Sequence, residues 1–551
     1  MKSALLLGVL AISAVCSAGE PASAHVPCAD MLKLRLPLAT VTIAEVVAPG
    51  AFRAPVGDPQ HGNFSDLPGF CRVHGFVHPV PGSNIGFEVW LPLGKWSGRL
   101  HMVGNGAYMS RIYWPELANR IREGDVGVAT DTGHKGGSLT FAVGHPQRII
   151  DWGERAVHAT VVIAKLISRG YFGRLPRYSY FSGCSTGGEE ALSEAQRYPD
   201  DFNGIIAGDP GNYRTSLNMA FLWQFEQNHR PGDDTHPILS VADLQLLHGA
   251  VMRACDAADG VRDGVINDPR DCKFAVASLL CKPGSEGHCL SAEQVAVIRA
   301  MYAGPHDPLT GAQIYPGYTL GSEGVVVAPH QKLPGWSAYW ADLRRPAQPI
   351  RADFFRYWVF ANPEWNWWRF DWHSDPAIVS ATIGPKVNAT NPDLHRFADH
   401  GGKLIMFMGW ADPVGSALAA IDYYRQVDEF TANHIGVKDT RDAMRATGKF
   451  FRLYMIPGMG HCAGGPGATH FSTATRDSTP PVSDAKHDMT IALENWVERD
   501  EPPRALIGTH YADEKRKVIA FQRPLCVFPQ VARYIGGSTK EAAGFRCETH
   551  H

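Results

Sequence analysis

The chain has 551 residues with 44% hydrophobic and 19% charged side chains, which excludes an intrinsically disordered chain and a protein built of membrane spans. Its net charge of −3, with no long basic run, gives no electrostatic reason to expect nucleic acid or an anionic membrane as partner. A chain this long can bury a large core in one interrupted domain or in two, and it shows no internal repeat.

The first residues, MKSALLLGVLAISAVCSAGEPASA, combine Lys2, a mostly apolar run from Ala4 to Val15 and an Ala22-Ser23-Ala24 ending. That is the layout of a secretory signal over residues 1–24, cleaved before His25 and too short to anchor the chain. Val15 before Cys16 is a poor match to the small residue that lipoprotein processing wants. No later apolar run is long enough for a membrane helix, so the mature chain is expected to be soluble and secreted or periplasmic. Of eleven cysteines, losing Cys16 leaves ten, and an even number in an exported chain reads as a disulfide set. No C-x-x-C pair is present, so a zinc or redox site is the weaker reading. Local partners are Cys28 with Cys71, Cys255 with Cys272, Cys281 with Cys289, and Cys526 with Cys547. Cys184 and Cys462 are left over.

From about Asn84 to Gly208, short β-like runs alternate with helical stretches. GRLHMVGNGA reads as strand then glycine loop, GDVGVATDTGH as another strand and loop, and ERAVHATVVIAKLISRG as an amphipathic helix ending at Gly170. RYSYFSGCSTGGEEALSEAQRYP reads as strand, turn and helix, and FNGIIAGDP as a further strand. This alternation predicts an α/β protein with a mostly parallel sheet covered on both faces. The rhythm breaks after Asp209. From there to about Asp393 the chain is irregular and tryptophan-rich, and it holds Cys255, Cys272, Cys281 and Cys289. Alternation returns with GGKLIMFMGWADP, GKFFRLYMIPGMGHC and the helical DMTIALENWVERD. The expected organisation is a sheet domain of residues 25–208 and 394–551, interrupted by an inserted lid of residues 209–393.

Gly183-Cys184-Ser185-Thr186-Gly187 fits G-x-S-x-G, set between a β-prone YSYF and a helix-prone EEALSEAQRY. In such an elbow the serine is a nucleophile in a strained turn, and small neighbours let strand and helix approach closely; the alternative is a structural turn. A serine hydroxyl needs a base and the base an orienting carboxylate, following in the order Ser, Asp or Glu, His. Asp412 lies just past one apolar run and His461 past the next, in that order; each alone is also an ordinary loop residue. The cysteines separate these readings. Cys184 directly precedes Ser185, and Cys462 directly follows His461. A bond between them holds its Cα atoms about 4.4–6.8 Å apart and ties the nucleophile's turn to the base's loop. The alternative, a free buried Cys184, leaves Cys462 unpaired.

Cys184-Ser185, Asp412 and His461-Cys462 together resemble the tannase and feruloyl esterase family, whose triad serine and histidine carry adjacent, bonded cysteines. Bacterial mono(2-hydroxyethyl) terephthalate hydrolases look similar and belong to the same group. The resemblance covers nearly the whole mature chain. It implies an α/β-hydrolase core with an inserted lid, no organic cofactor, and hydrolysis of esters of aromatic acids such as gallic or hydroxycinnamic acid through an acyl-enzyme on Ser185. It also implies oxyanion donors, assigned here to the backbone N–H of Thr186 and of Gly106 in the loop Gly104-Asn105-Gly106. That loop lacks the full G-x-G-x-x-G pattern of a nucleotide-binding turn.

CDAADGVRDGVINDP, Cys255 to Pro269, crowds Asp256, Asp259 and Asp263 into one glycine-containing loop. Oxygen-only ligands point to calcium, with the Val261 and Val265 carbonyls completing the shell; the alternative is a solvated acidic loop. The spacing departs from the EF-hand pattern and resembles the calcium loop in the lid of this family, which implies a structural Ca2+. Eight of the fourteen tryptophans fall in the lid, five of them in RYWVFANPEWNWWRFDW, where aromatic faces suit a planar acyl group or simply pack the lid down. Arg356 or Arg369 is a candidate partner for a substrate carboxylate, as a terephthalate monoester requires, the alternative being a surface or structural salt bridge, and His134 in DTGH is a candidate structural residue near the site. The alternatives of another class are an inactive hydrolase-fold binding protein, which would be expected to lack a triad member, and a serine peptidase. The partner expected is a small aromatic ester; the sequence does not specify the oligomeric state.

Overall fold

The computed structural model describes residues 25–55, 62–284, 287–325, 333–474, 478–513 and 515–549; the expected signal segment, residues 1–24, lies outside them. Nine strands form the main sheet: β1 (Ala39–Val47), β2 (Phe70–Val77), β3 (Ile85–Pro92), β4 (Arg99–Val103), β5 (Val126–Thr130), β6 (Tyr178–Cys184), β7 (Gly204–Gly208), β8 (Lys403–Gly409) and β9 (Phe451–Ile456). Their order is β1-β2-β3-β5-β4-β6-β7-β8-β9. From β5 to β9 every neighbouring pair is parallel. The first three strands and the β3–β5 pair are antiparallel.

Successive residues of the parallel strands point to opposite faces, and both faces are buried. Phe181, Ile205, Leu404 and Met406 join one apolar cluster with the helices Ala156–Phe172 and Ala417–Ile435. Their neighbours Tyr180, Ile206, Ile405 and Phe407 join another with Met489, Leu493 and Trp496 of the helix Met489–Arg499. The sheet is therefore helix-covered on both sides, the doubly wound arrangement in which ligands bind beyond the carboxyl ends of parallel strands.

The helix expected to stop at Gly170 runs on to Phe172 and is capped by Gly173 at φ +74°. Gly170 is inside it because a Cβ there would stand 3.0 Å from Leu34, so its small size serves packing. Strands β1 and β2, and two C-terminal hairpins, β10 (Ala505–Tyr511) with β11 (Ile519–Cys526) and β12 (Gln530–Tyr534) with β13 (Phe545–Thr549), lie outside the alternating stretches of the sequence. The chain leaves the sheet after Gly208 and re-enters at Lys403, although β7 and β8 are hydrogen-bonded neighbours. Among the described residues no helix is long and apolar enough to cross a membrane.

Candidate active site

β6 delivers the chain to Ser185, which turns at φ +66°, ψ −116°, and the helix Thr186–Arg197 starts at the next residue. A non-glycine residue in this region costs about 1–3 kcal/mol and persists only where its surroundings hold it. Here the Ser185 N–H donates to the Gly208 carbonyl at 2.9 Å, and the Gly211 N–H donates to the Ser185 carbonyl at 3.1 Å. Gly183 is required by proximity, since a Cβ there would lie 2.6 Å from the Gly187 backbone. The loop Gly104-Asn105-Gly106 after β4 packs onto this elbow. The Gly187 N–H donates to the Asn105 carbonyl at 2.8 Å, and a Cβ on Gly104 would lie 2.8 Å from Gly187 Cα. Beneath it, Glu190 Oε2 accepts from the Asn105 N–H at 2.8 Å, and burial first of all pushes this carboxyl up to about 8. Thr186 Oγ1 donates to the Ala107 carbonyl at 2.9 Å, completing the seam.

Asp412 and His461 come from the loops after β8 and β9. Asp412 is 2% exposed; its Oδ1 accepts from the N–H groups of Val414 and Gly415 at 2.6 and 3.2 Å, and its Oδ2 lies 2.7 Å from His461 Nδ1. The disulfide Cys184–Cys462 spans 278 residues of sequence with Cα atoms 5.9 Å apart, setting Ser185 and His461 each one residue from a shared covalent bond. The other four pairs are Cys28–Cys71, Cys255–Cys272, Cys281–Cys289 and Cys526–Cys547.

Several buried charges and aromatics around the elbow were not singled out from the sequence. Arg214, at the start of the helix Arg214–Asn228, donates from Nε to Glu189 Oε2 at 2.7 Å and from Nη2 to Thr186 Oγ1 at 3.1 Å. Burial lifts Glu189 to about 7 despite that pairing. The Tyr108 ring, two residues past Gly106, is covered by the guanidinium groups of Arg214 and Arg351, 5.7 and 5.3 Å from its centroid. Arg351 also lies 4.6 Å from the Phe221 centroid, is pushed down to about 10 by burial, and its buried Nη1 has no hydrogen-bond partner among the described residues. Only the doubled acid Glu189-Glu190 after the serine motif could have pointed to this layer, because buried arginines far apart in sequence leave no periodic signal.

The remaining sequence candidates separate into near and remote. His134 is buried, stacks on Phe141 and reaches the Tyr108 carbonyl with Nε2 at 2.9 Å. Arg356 donates to Gln348 and Asp353, and Arg369 is exposed. The tryptophans of residues 209–393 mostly pack among their neighbours in that segment. Trp365 stacks between Phe355 and Phe360, Trp367 and Trp368 both donate to Asp234, and Trp372 donates to Glu226. Trp358 is the one that reaches the elbow's surroundings, edge-on to Tyr108 and Trp152. In the acidic loop, Asp256 Oδ1 accepts from the N–H groups of Asp263 and Gly264, Asp259 Oδ1 accepts from Val261, and Asp263 pairs with Arg523. Burial, then Asp263 and Asp256, raise the Asp259 carboxyl to about 6.

Residues 71–548 match the family model described as tannase and feruloyl esterase. An uncharacterized esterase of Xanthomonas campestris pv. campestris is 37% identical over 96% of this chain and 92% of its own length. A probable feruloyl esterase B-2 of Aspergillus terreus is 30% identical over 84% of this chain and 82% of its own. The crystal structure of feruloyl esterase B from Aspergillus oryzae superposes with a TM-score of 0.83 at 25% identity, over 95% of this chain and 99% of that one. A G-x-S-x-G elbow on a mostly parallel, helix-covered sheet, matched almost end to end by named esterases, places this chain in the tannase and feruloyl esterase family as a carboxylic ester hydrolase of the α/β-hydrolase type.

Proposed function

We propose that the chain hydrolyses esters of aromatic acids of the hydroxycinnamic or gallic type through an acyl-enzyme on Ser185. The observation that carries this is the 2.7 Å contact between His461 Nδ1 and Asp412 Oδ2, bonded covalently to the Ser185 turn through Cys462 and Cys184. In the first step Ser185 Oγ attacks the ester carbonyl while His461 Nε2 takes its proton. Asp412 keeps the Nδ1–H tautomer and stabilises the imidazolium. The oxyanion is met by the N–H of Thr186, at a helix start where N–H groups lack intrahelical acceptors, and by that of Gly106. His461 then protonates the departing alkoxide, releasing the alcohol. In the second step water, deprotonated by His461, attacks the acyl carbon, and Ser185 leaves with the proton returned.

Arg351 and Trp358 of residues 209–393 pack on Tyr108, with Phe221 against Arg351, and in this reading these side chains border the acyl group. A second reading, a terephthalate monoester hydrolase, is favoured by one feature: the unpartnered Arg351 Nη1, a donor for a carboxylate or phenol oxygen on the acyl ring. Comparing kcat/KM on methyl gallate, methyl ferulate, methyl caffeate and a terephthalate monoester, with an amide analogue, tests both. The expected preference is for the phenolic methyl esters, and Arg351→Ala raises KM for the preferred substrate about tenfold, the loss of one charge-assisted hydrogen bond. A preference for the amide would refute the esterase reading. Residues 1–24 act as an export signal in this reading, and five disulfides suit the oxidising space beyond the membrane.

The acidic loop fits a hard cation. Its donors are all oxygen; burial first, and then the Asp263 and Asp256 carboxyls, raise Asp259, and a bound cation would relieve the part that is repulsion. Asp256, Asp259 and Asp263 with the carbonyls of Val261 and Val265 would hold Ca2+, which would neutralise the loop and brace the lid. Chelation is expected to lower the melting temperature by about 2–3 °C, recovered by added calcium. An unchanged melting curve would leave the loop as a solvated acidic turn.

A further inference from the structure

One carboxyl beside the site has no part in the mechanism above. Asp209 directly follows β7, at φ +36°, and is 2% exposed. Its Oδ1 accepts from the Gly409 N–H at 2.8 Å, and its Oδ2 accepts from the Cys462 N–H at 3.1 Å. Oδ2 also lies 3.5 Å from the Cys184 sulfur, and the Asp209 N–H donates to the Phe407 carbonyl at 2.8 Å. An oxygen of Asp209, an oxygen of Asp412 and a ring nitrogen of His461 all lie within 4.8 Å of one another. A single side chain thus touches the end of β8, the residue after His461, the sulfur before Ser185 and the neighbourhood of Asp412.

Two carboxyls this close and this deeply buried are not both charged unless a cation sits between them. Among the described residues no arginine or lysine is paired with Asp209. Asp412 accepts three donors, two backbone N–H groups and the His461 ring, the surroundings of an anion. Asp209 accepts only two. Burial, and then the charge of Asp412, hold the Asp209 carboxyl well above the usual carboxylate range. Among the described residues the other titratable groups facing the pair are His461 and the phenols Tyr315, Tyr318 and Tyr339; burial, then Asp412, raises each of the three phenols, with Arg214 near Tyr315 and Arg351 near Tyr339.

We propose that Asp209 is a positioning residue of the reaction, a neutral acid that donates its O–H to Asp412 while its oxygens hold the backbone beside His461 and at the end of β8. The Asp412–His461 pair is then fixed from below by a hydrogen bond and from the side by the disulfide. This inference rests on the assignment of Asp412 and His461 as acid and base.

The test compares Asp209→Asn and Asp209→Ala with Ser185→Ala on the preferred ester. Asparagine keeps a donor toward Asp412 and one oxygen acceptor, carries no charge, and gives up the acceptor for one of the two backbone N–H groups of Gly409 and Cys462. Alanine is expected to lower kcat about 10–100-fold with little change in KM, whereas asparagine, which keeps the bond to Asp412 and one backbone N–H, is expected to lower kcat clearly less than alanine. The acid limb of the kcat/KM profile in Asp209→Asn stays within about 0.3 pH unit of the unmodified enzyme, because no charge near His461 is removed; losing an ionised carboxylate would lower it by about one unit. A wild-type kcat in Asp209→Ala overturns the proposal, as does an asparagine variant as slow as alanine. If the alanine variant does not fold, the acid limb of Asp209→Asn decides alone, and a downward shift of about one unit sinks the neutral role. Turnover by Ser185→Ala would instead sink the site assignment itself.

Discussion

Ser185→Ala is expected to cut kcat on an aromatic methyl ester by about 10⁴-fold or more while leaving the melting temperature in place. The size follows from what is lost: the atom that forms the acyl-enzyme has no substitute within the elbow. Stability is expected to hold because alanine keeps the backbone bonds that pin this turn, from the Ser185 N–H to Gly208 and from Gly211 to the Ser185 carbonyl. Steady-state kinetics and a thermal melt on the same sample separate the two effects. Turnover near that of the unmodified enzyme would remove Ser185 from the mechanism.

The second large effect is expected from removing the bond beside it. Cys184→Ala with Cys462→Ala releases a 278-residue loop, worth up to about 5 kcal/mol in the chain-entropy picture, and frees the His461 loop from the elbow. A displacement of about 1 Å between nucleophile and base is enough to cost about 100-fold in kcat. The pair Cys281–Cys289 closes only 8 residues of the lid, and Cys281→Ala with Cys289→Ala is expected to cost about 2.5 kcal/mol and leave kcat unchanged. The contrast between the two double variants, read as kcat against melting temperature, isolates the geometric role of the bond from its effect on stability. Equal kcat in both would show that the bond does not position the site.

The parallel half of the sheet was legible because buried parallel strands leave continuous apolar runs such as KLIMF and FNGIIAG, separated by helices of recognisable period. The antiparallel strands β1 and β2 were not, since ATVTIAEVV is half-exposed at the sheet edge and carries few large apolar residues. Ser185 and His461 stand out in the sequence by adjacency to Cys184 and Cys462, and Asp412 by its place after an apolar run. Tyr108, Asp209, Arg214 and Arg351 do not: each acquires its meaning only from neighbours brought in by folding. Asp209 reads in sequence as an ordinary turn residue before Pro210, and Arg351 as one of many basic residues in an irregular stretch. The tryptophan-rich segment does not say which ring reaches the elbow, because Trp358 and its structural neighbours share one composition.

Pairing β7 with β8 also sets a schedule for the newborn chain. β7 ends at Gly208 and its partner begins at Lys403, so the ribosome must supply the whole intervening lid before that edge can be covered. At translation rates of about 5–20 residues per second the wait is about 10–40 s, during which Gly204–Gly208 presents unpaired N–H and carbonyl groups on an apolar strand. Holding the chain unfolded until it is complete, by a chaperone or by threading it through a translocation pore, would keep that edge from meeting another copy.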